Sequence, residues 1–349
     1  MMKEIGSEFY WDKDYEDGNE IKKQWILYGS DYVFTFSGRT AIETVIEDIG
    51  DIEKVYFPSY CCQSMLEPFE KRGINIEYYS VEMNNGLQLI LNIPPDCDVL
   101  FLCNYFGFNT KYSQAEIKKF KARGGVVIED ITHSLLSVKQ HNADSDYLIA
   151  SLRKWGALLS GGFCSKKTGE FRCKPKGIPD KEFLENKFNA MRLKAEYLKG
   201  LQKDKNEFLA MYMQSNRWVE NNYSGLYIDD YSAKILNNWD IDRMRKTRIN
   251  NAKVLYNGLD SVSGIQMIFP EKHLDCPLFV PIVTCKQKRG ILREKLIEYK
   301  MYFPIHWPKP NDKTSSELYD REISLVCDQR YNEEDMLRIV EVIKLLIRS

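Results

Sequence analysis

The chain has 349 residues, 44% of them hydrophobic, and a formal net charge of -1. That length suits a large domain with a smaller companion rather than one compact core. The near-neutral balance leaves no basic field to draw nucleic acid or an anionic membrane, and apolar runs such as Val99–Cys103 are too short to span a bilayer.

Residues 1–30 read as an arm rich in aromatic and charged side chains, among them Phe9, Tyr10, Trp11 and Tyr15. Its opening residues have no apolar core of signal-peptide type, so a cytoplasmic protein is expected. Tyr32–Phe36 reads as a strand, and Ile42, Val45, Ile46 and Ile49 follow at helical spacing. Lys54–Phe57, Ile74–Val81, Val99–Cys103, Val126–Ile128 and Tyr147–Ala150 read as further strands, with helices expected over Met65–Lys71 and Ala115–Ala122. This alternation predicts an α/β domain with a mainly parallel sheet covered by helices on both faces.

From Asp180 to Met213 the pattern turns helical and charged. A long helix is expected from Asn237 through Leu259, with Ile241, Met244 and Ile249 inward. After Gly264 the texture becomes short strands and helices: Leu278–Val283, Gly290–Tyr299, Ile323–Val326 and Glu333–Ile347. The expected organisation is therefore an arm at 1–30, a large domain at 31–240 and a smaller α+β domain at 241–349. Nine cysteines include no Cys-x-x-Cys pair, which reads as free, mostly buried thiols, with neither a disulfide framework nor a metal site.

Three segments carry chemistry. Phe36-Ser37-Gly38-Arg39-Thr40-Ala41 lies between a strand and a helix, where first-turn amides and the helix dipole make an anion site. Gly38 allows close approach of a phosphate; the same residues also make an ordinary cap and turn. In the second, Val126–Ile128 ends in Glu129-Asp130, followed by Ile131-Thr132-His133, placing a carboxylate where open α/β sheets bind ligands. A solvated strand-end acid and a core histidine read equally well. The third is Ser151-Leu152-Arg153-Lys154-Trp155, followed by Ser160-Gly161-Gly162. A lysine, whose ordinary pKa is ~10.4, becomes a nucleophile when burial or neighbouring cations lower that value; Arg153 and Lys154 also read as a solvated basic pair.

Ser151-x-x-Lys154 with Lys167-Thr168-Gly169 shares elements with penicillin-binding signatures, but the Lys-Thr-Gly follows too closely and no Ser-Asp-Asn intervenes. Neither a dinucleotide Gly-x-Gly-x-x-Gly nor a Walker-type Gly-Lys-Ser/Thr loop occurs.

In this order the segments resemble the DegT/DnrJ/EryC1/StrS aminotransferases, the sugar-aminotransferase branch of fold-type I pyridoxal-phosphate (PLP) enzymes. The likeness runs from about residue 30 to the C-terminus. It includes Phe57-Pro58-Ser59-Tyr60-Cys61-Cys62, Asn104-Tyr105-Phe106-Gly107, Pro304-Ile305-His306-Trp307-Pro308 and Asp328-Gln329-Arg330-Tyr331 besides the three segments above. The resemblance implies the aspartate-aminotransferase fold, and a Schiff base between Lys154 and PLP. It implies that Asp130 pairs with the pyridine nitrogen and His133 contacts the phenolic oxygen, while Gly38, Arg39, Thr40 and Ser151 hold the phosphate.

Cys62 stands where the family usually puts an aromatic over the cofactor ring, so that either Tyr60 or Tyr105 stacks instead or the pocket is wider. The interval from Ser151 to Lys154 is short, and the family's cross-subunit Asn-Tyr-Arg segment has Asn222-Tyr223-Ser224 as its nearest counterpart. His306 and Trp307 are the candidate acceptor pocket, a core pair being the other reading. The implied activity is transfer of an amino group from an amino acid such as L-glutamate to a nucleotide-linked keto-sugar, in a homodimer, for amino-sugar and surface-polysaccharide biosynthesis. Other PLP chemistry, a lyase or dehydratase, and a non-catalytic regulatory relative are the alternatives; the retained Lys154 and Asp130 favour transamination.

Overall fold

The structure, a computed structural model, describes residues 3–11, 29–138, 141–310 and 316–348; Tyr15 of the expected arm lies outside them. The elements run in chain order β1 (Ile5–Gly6), β2 (Asp31–Thr35), α1 (Gly38–Ile49), β3 (Lys54–Pro58), α2 (Gln63–Glu70), β4 (Asn75–Met83), β5 (Leu87–Ile90) and β6 (Val99–Cys103). Next come α3 (Gln114–Ala122), β7 (Val126–Asp130), β8 (Tyr147–Ser151), β9 (Gly162–Lys166), α4 (Lys181–Leu198), α5 (Asn206–Asn222), α6 (Asp230–Asn237) and α7 (Ile241–Leu259). The last are β10 (Gln266–Met267), β11 (Phe279–Val283), α8 (Lys286–Glu298), β12 (Met301–Tyr302), α9 (Leu318–Arg321), β13 (Glu322–Val326) and α10 (Glu333–Arg348).

Contacts group the chain into two compact units, one of Met1–Ser7, Ile52–Asp146 and Ile241–Ser349, the other of Glu8–Asp51 and Tyr147–Asp240. One boundary between the two falls at Asp240–Ile241. The others divide the stretch 31–240 between both units.

In the first unit the strands β7-β6-β3-β4-β5 lie side by side; the first four are parallel and β5 returns antiparallel to β4. β6 is buried along its whole length, as a parallel strand covered on both faces requires. A separate antiparallel sheet, β10-β11-β13, carries the C-terminal region. β1 pairs in parallel with β12, so Ile5 faces Met301. No described helix is long and apolar enough to cross a membrane.

The helix expected from Asn237 begins at Ile241 instead. The chain breaks after α6, and the break leaves Trp239 buried. Met244 is buried as expected, but its inward partner is Arg248 rather than the half-buried Ile249. The fully buried Arg248 guanidinium donates to Gln329 Oε1 at 3.0 Å and to the carbonyls of Pro277 and Leu278 at 3.2 and 3.1 Å. Periodicity of apolar residues cannot flag an arginine whose charge is satisfied by carbonyl oxygens.

In the second unit β2-β9-β8 are antiparallel throughout. The charged helical pattern expected from Asp180 to Met213 is two helices, α4 and α5, separated by a turn at Gly200, and α5 runs on to Asn222. Phe9 and Trp11 pack on the cluster of Ala190, Met191, Phe208 and Tyr212. The Trp11 amide donates to the Met191 carbonyl at 3.2 Å, and the Tyr212 hydroxyl to the Phe9 carbonyl at 2.7 Å. This end of the arm therefore covers a surface of its own chain.

Candidate active site

The second unit joins the anion-binding turn to the lysine segment. Ser37 caps α1: its side chain accepts from the Thr40 amide at 3.2 Å, and its carbonyl from the Ala41 amide at 3.0 Å. The Thr40 hydroxyl donates to the Tyr223 carbonyl at 2.7 Å, which ties the turn to the end of α5. β9 lies between β2 and β8, with Gly162 opposite both Thr35 and Ser151. A Cβ on Gly162 would stand 2.2 Å from the Ser37 oxygen, so only glycine fits. The Gly161 amide donates to the Phe36 carbonyl at 2.6 Å, and its own carbonyl accepts from Leu152 at 3.1 Å.

Thus the Gly161-Gly162 pair clamps the helix start to the strand end from which Leu152–Lys154 turn. A Cβ on Gly38 would lie 3.2 Å from Ser151 Cβ, so this turn packs directly against Ser151. Ser151, Arg153 and Lys154 are half-buried.

The surroundings are cationic. Arg39 lies over the Tyr223 ring at 5.9 Å. Burial lowers the Arg153 guanidinium below its ordinary value; Glu8 offsets this and Arg39 adds to it. Burial likewise lowers buried Lys187, which stands 4.5 Å over the Tyr212 ring and feels Glu8 and Arg153. Lys194 Nζ donates to the Glu8 carbonyl. Lys187, Lys194 and Glu8 were not singled out in the sequence, because each looks like a surface charge at its helical or arm position. The glycine turn, helix amides and cations together suit a phosphate group.

The first unit holds the acid and the aromatics. Asp130 ends β7, buried, and its Oδ1 accepts from the Thr132 amide at 2.7 Å. Strand alternation sends Glu129 to the other face. There it accepts from Asn104 Nδ2 and Ser145 Oγ, both at 2.7 Å, and burial raises its pKa. Of the two adjacent acids, Glu129 is bonded into the scaffold and Asp130 closes the strand.

His133 Nδ1 accepts from the Phe106 amide at 3.2 Å. In a neutral imidazole that bond leaves the proton on Nε2, so the ring acts as a donor there. Phe106 reaches this position through a turn with positive φ at both Phe106 (59°) and Gly107 (82°). A Cβ on Gly107 would meet the Cys276 carbonyl oxygen at 2.1 Å.

Tyr60 and Tyr105 are fully buried and stack on each other at 5.6 Å. The Tyr60 hydroxyl donates to the His306 carbonyl and that of Tyr105 to the Tyr60 carbonyl at 2.5 Å. Cys62 is half-buried, its thiol 2.9 Å from Ser64 Oγ at the start of α2. His306 and Trp307 join this group: Trp307 stacks on His133 at 5.6 Å, and the two imidazoles meet edge to face at 5.2 Å. Asn222-Tyr223-Ser224 sits in the second unit, where Ser224 Oγ donates to Glu43 at 2.6 Å and the Tyr223 carbonyl receives Thr40. Tyr223 and Ser224 are thereby tied to α1 of their own chain.

No family model matches the sequence, and no curated protein is significantly similar to it in sequence. Solved structures resemble it in fold. PseC of Helicobacter pylori, an aminotransferase involved in the biosynthesis of pseudoaminic acid, superposes with a TM-score of 0.67 at 15% identity over 99% of each chain. NtdA of Bacillus subtilis, solved with the cofactor PMP, gives 0.63 at 14% identity, covering 98% of this chain and 79% of that one. Spr1654 of Streptococcus pneumoniae, a putative sugar aminotransferase solved in a PLP form, gives 0.62 at 13% identity over 98% of this chain and 93% of that one. At these identities the likeness establishes the fold, and this chain has the mixed α/β fold of those enzymes.

Proposed function

We propose that this protein is a PLP-dependent aminotransferase that moves an amino group from an amino acid, L-glutamate or a similar donor, to a nucleotide-linked keto-sugar in amino-sugar biosynthesis. The observation that carries the reading is the Gly161-Gly162 clamp, which joins an anion-binding helix start to the Ser151–Lys154 segment. The fold shared with sugar aminotransferases supports it, although fold alone does not select a chemistry.

Bound PLP would supply an electron sink for the charge left at the donor's Cα. The chain's own groups would do the rest. Gly38, Arg39, Thr40 and Ser151 would hold the phosphate, with Thr40 shaping the turn and the others facing the anion. Lys154 Nζ would carry the cofactor covalently, then act as the amine that takes and returns the proton. Asp130 would keep the pyridine nitrogen protonated, and His133 Nε2–H would give a hydrogen bond to the phenolic oxygen. Tyr60, Cys62, His306 and Trp307 would line the cofactor and acceptor side.

Incubating the PLP-loaded protein with glutamate should release 2-oxoglutarate and leave the amino form of the cofactor. If no common amino acid does this, the aminotransferase reading fails, and lyase chemistry or a non-catalytic role takes its place.

A further inference from the structure

Glu322 and Ser324 stand two apart on β13, so both side chains face the same way. What they face is His306. The His306 amide donates to Glu322 Oε2 at 2.6 Å, the Ser324 hydroxyl bonds Glu322 Oε1, and Ser324 Oγ lies 2.7 Å from His306 Nδ1. All three residues are buried, Glu322 being 1% exposed and Ser324 0%.

We propose that Glu322, acting through Ser324, decides which nitrogen of His306 carries the proton, and so whether the ring gives or accepts a hydrogen bond at Nε2. Because Oε2 is taken up by the His306 amide, the proton of a neutral Glu322 belongs on Oε1. It then donates to Ser324 Oγ, whose own proton goes to Nδ1, and Nε2 bears the ring proton. When Glu322 is ionised the chain reverses: Ser324 donates to Oε1, Nδ1–H donates to Ser324, and Nε2 becomes the acceptor. Protons balance. The one lost leaves from Nε2, Nδ1 takes the serine proton, and the serine takes that of Glu322.

Burial pushes the Glu322 carboxyl up to about 8, against the bonds from Ser324 and the His306 amide and the pull of Arg289. Arg289 of α8 is the charged group facing it; its guanidinium donates to the Asp320 and Tyr319 carbonyls at 3.3 Å. Tyr60, from the turn after β3, feels the Glu322 charge, and the Tyr319 hydroxyl of α9 is spent on the Ser59 and Cys61 carbonyls. His133 meets the His306 ring edge to face, while Phe279 of β11 covers it at 4.9 Å. At neutral pH His306 is therefore a donor at Nε2, suited to an oxygen without a proton, such as a carbonyl, carboxylate or phosphoryl group. Calling His306 an acceptor-side residue rests on the proposed function; its tautomer does not.

Nitrogen-15 NMR of histidine-labelled protein reads the tautomer directly, with the His306→Asn variant assigning the signal among the four histidines. The expected result is Nε2–H below about pH 8, inverting to Nδ1–H above it. Glu322→Gln, whose amide donates as the neutral acid does, should hold Nε2–H throughout. Ser324→Ala should remove the inversion even if the glutamine variant folds poorly. A wild-type tautomer that stays constant from pH 6 to about 9.5, or an inversion that survives in either variant, overturns the proposal. A protein with no transaminase activity would still show the inversion, so the two readings fail separately.

Discussion

The Ser37 carbonyl oxygen lies 2.2 Å from where a Cβ on Gly162 would stand, with the Thr35 hydroxyl at 2.4 Å. Backbone cannot yield there as a flexible side-chain end would. Gly162→Ala should cost about 1–3 kcal/mol or more by overpacking and should displace the turn that the resemblance assigns to phosphate. Thermal melts with and without added PLP check both effects. An unchanged midpoint and a full ligand shift would contradict the clamp.

Borohydride reduction of the protein with PLP should fix the cofactor on the peptide that contains Lys154. Lys154 is half-buried, at the end of a short helical turn, so Lys154→Ala should remain folded while losing the label and turnover. Peptide mapping that finds another lysine modified, or none, would refute the assignment.

Asp130→Asn should lower turnover at least a hundredfold, the usual size of a lost charge-stabilising group, while PLP affinity changes little. The reason is a separation of tasks: phosphate holding is assigned to α1 and Ser151, ring electronics to Asp130. Titration with PLP beside single-turnover kinetics checks this. Equal losses of affinity and rate would count against it.

Asp48 accepts from the Tyr147 hydroxyl at 2.5 Å and the Arg172 amide at 2.7 Å, and pairs with Lys166 at 2.7 Å. Burial by itself would raise this carboxyl, but the Lys166, Tyr147 and Arg172 bonds bring it below its ordinary value of 3.8. Since the folded state lowers the pKa, its contribution is complete above the unfolded value and disappears as pH falls through the folded one. Asp48→Asn should destabilise the protein by about 1.5–3 kcal/mol at pH 7. It should also flatten the acid limb of stability below about pH 4. Urea melts across pH 2.5–7 would show a parallel pair of curves if Asp48 were not responsible.

A homodimer with shared active sites is expected from the family resemblance. Sedimentation of the PLP-loaded protein should give twice the monomer mass, and an active monomer would sink this expectation.

Composition and periodicity were sufficient for the alternating α/β pattern, β6, α1 and α10, because local spacing alone specifies those. The resemblance added the turn–acid–lysine order. Other features arise from residues far apart in sequence, and only packing decided them. Gly162 looks like any strand glycine until Ser37 is set against it. Arg248 looks like a surface charge until the carbonyls of Pro277 and Leu278 receive it. Likewise Glu129 and Asp130 are indistinguishable as a dipeptide, and strand alternation gives one to the scaffold and leaves the other at the strand end. Glu322 reads as an ordinary strand acid, and its bond to His306, sixteen residues away, exists only because the chain after β12 folds back along β13. Burial then removes the water that would have kept it ionised, which is a property of the packed structure and of no single stretch of sequence.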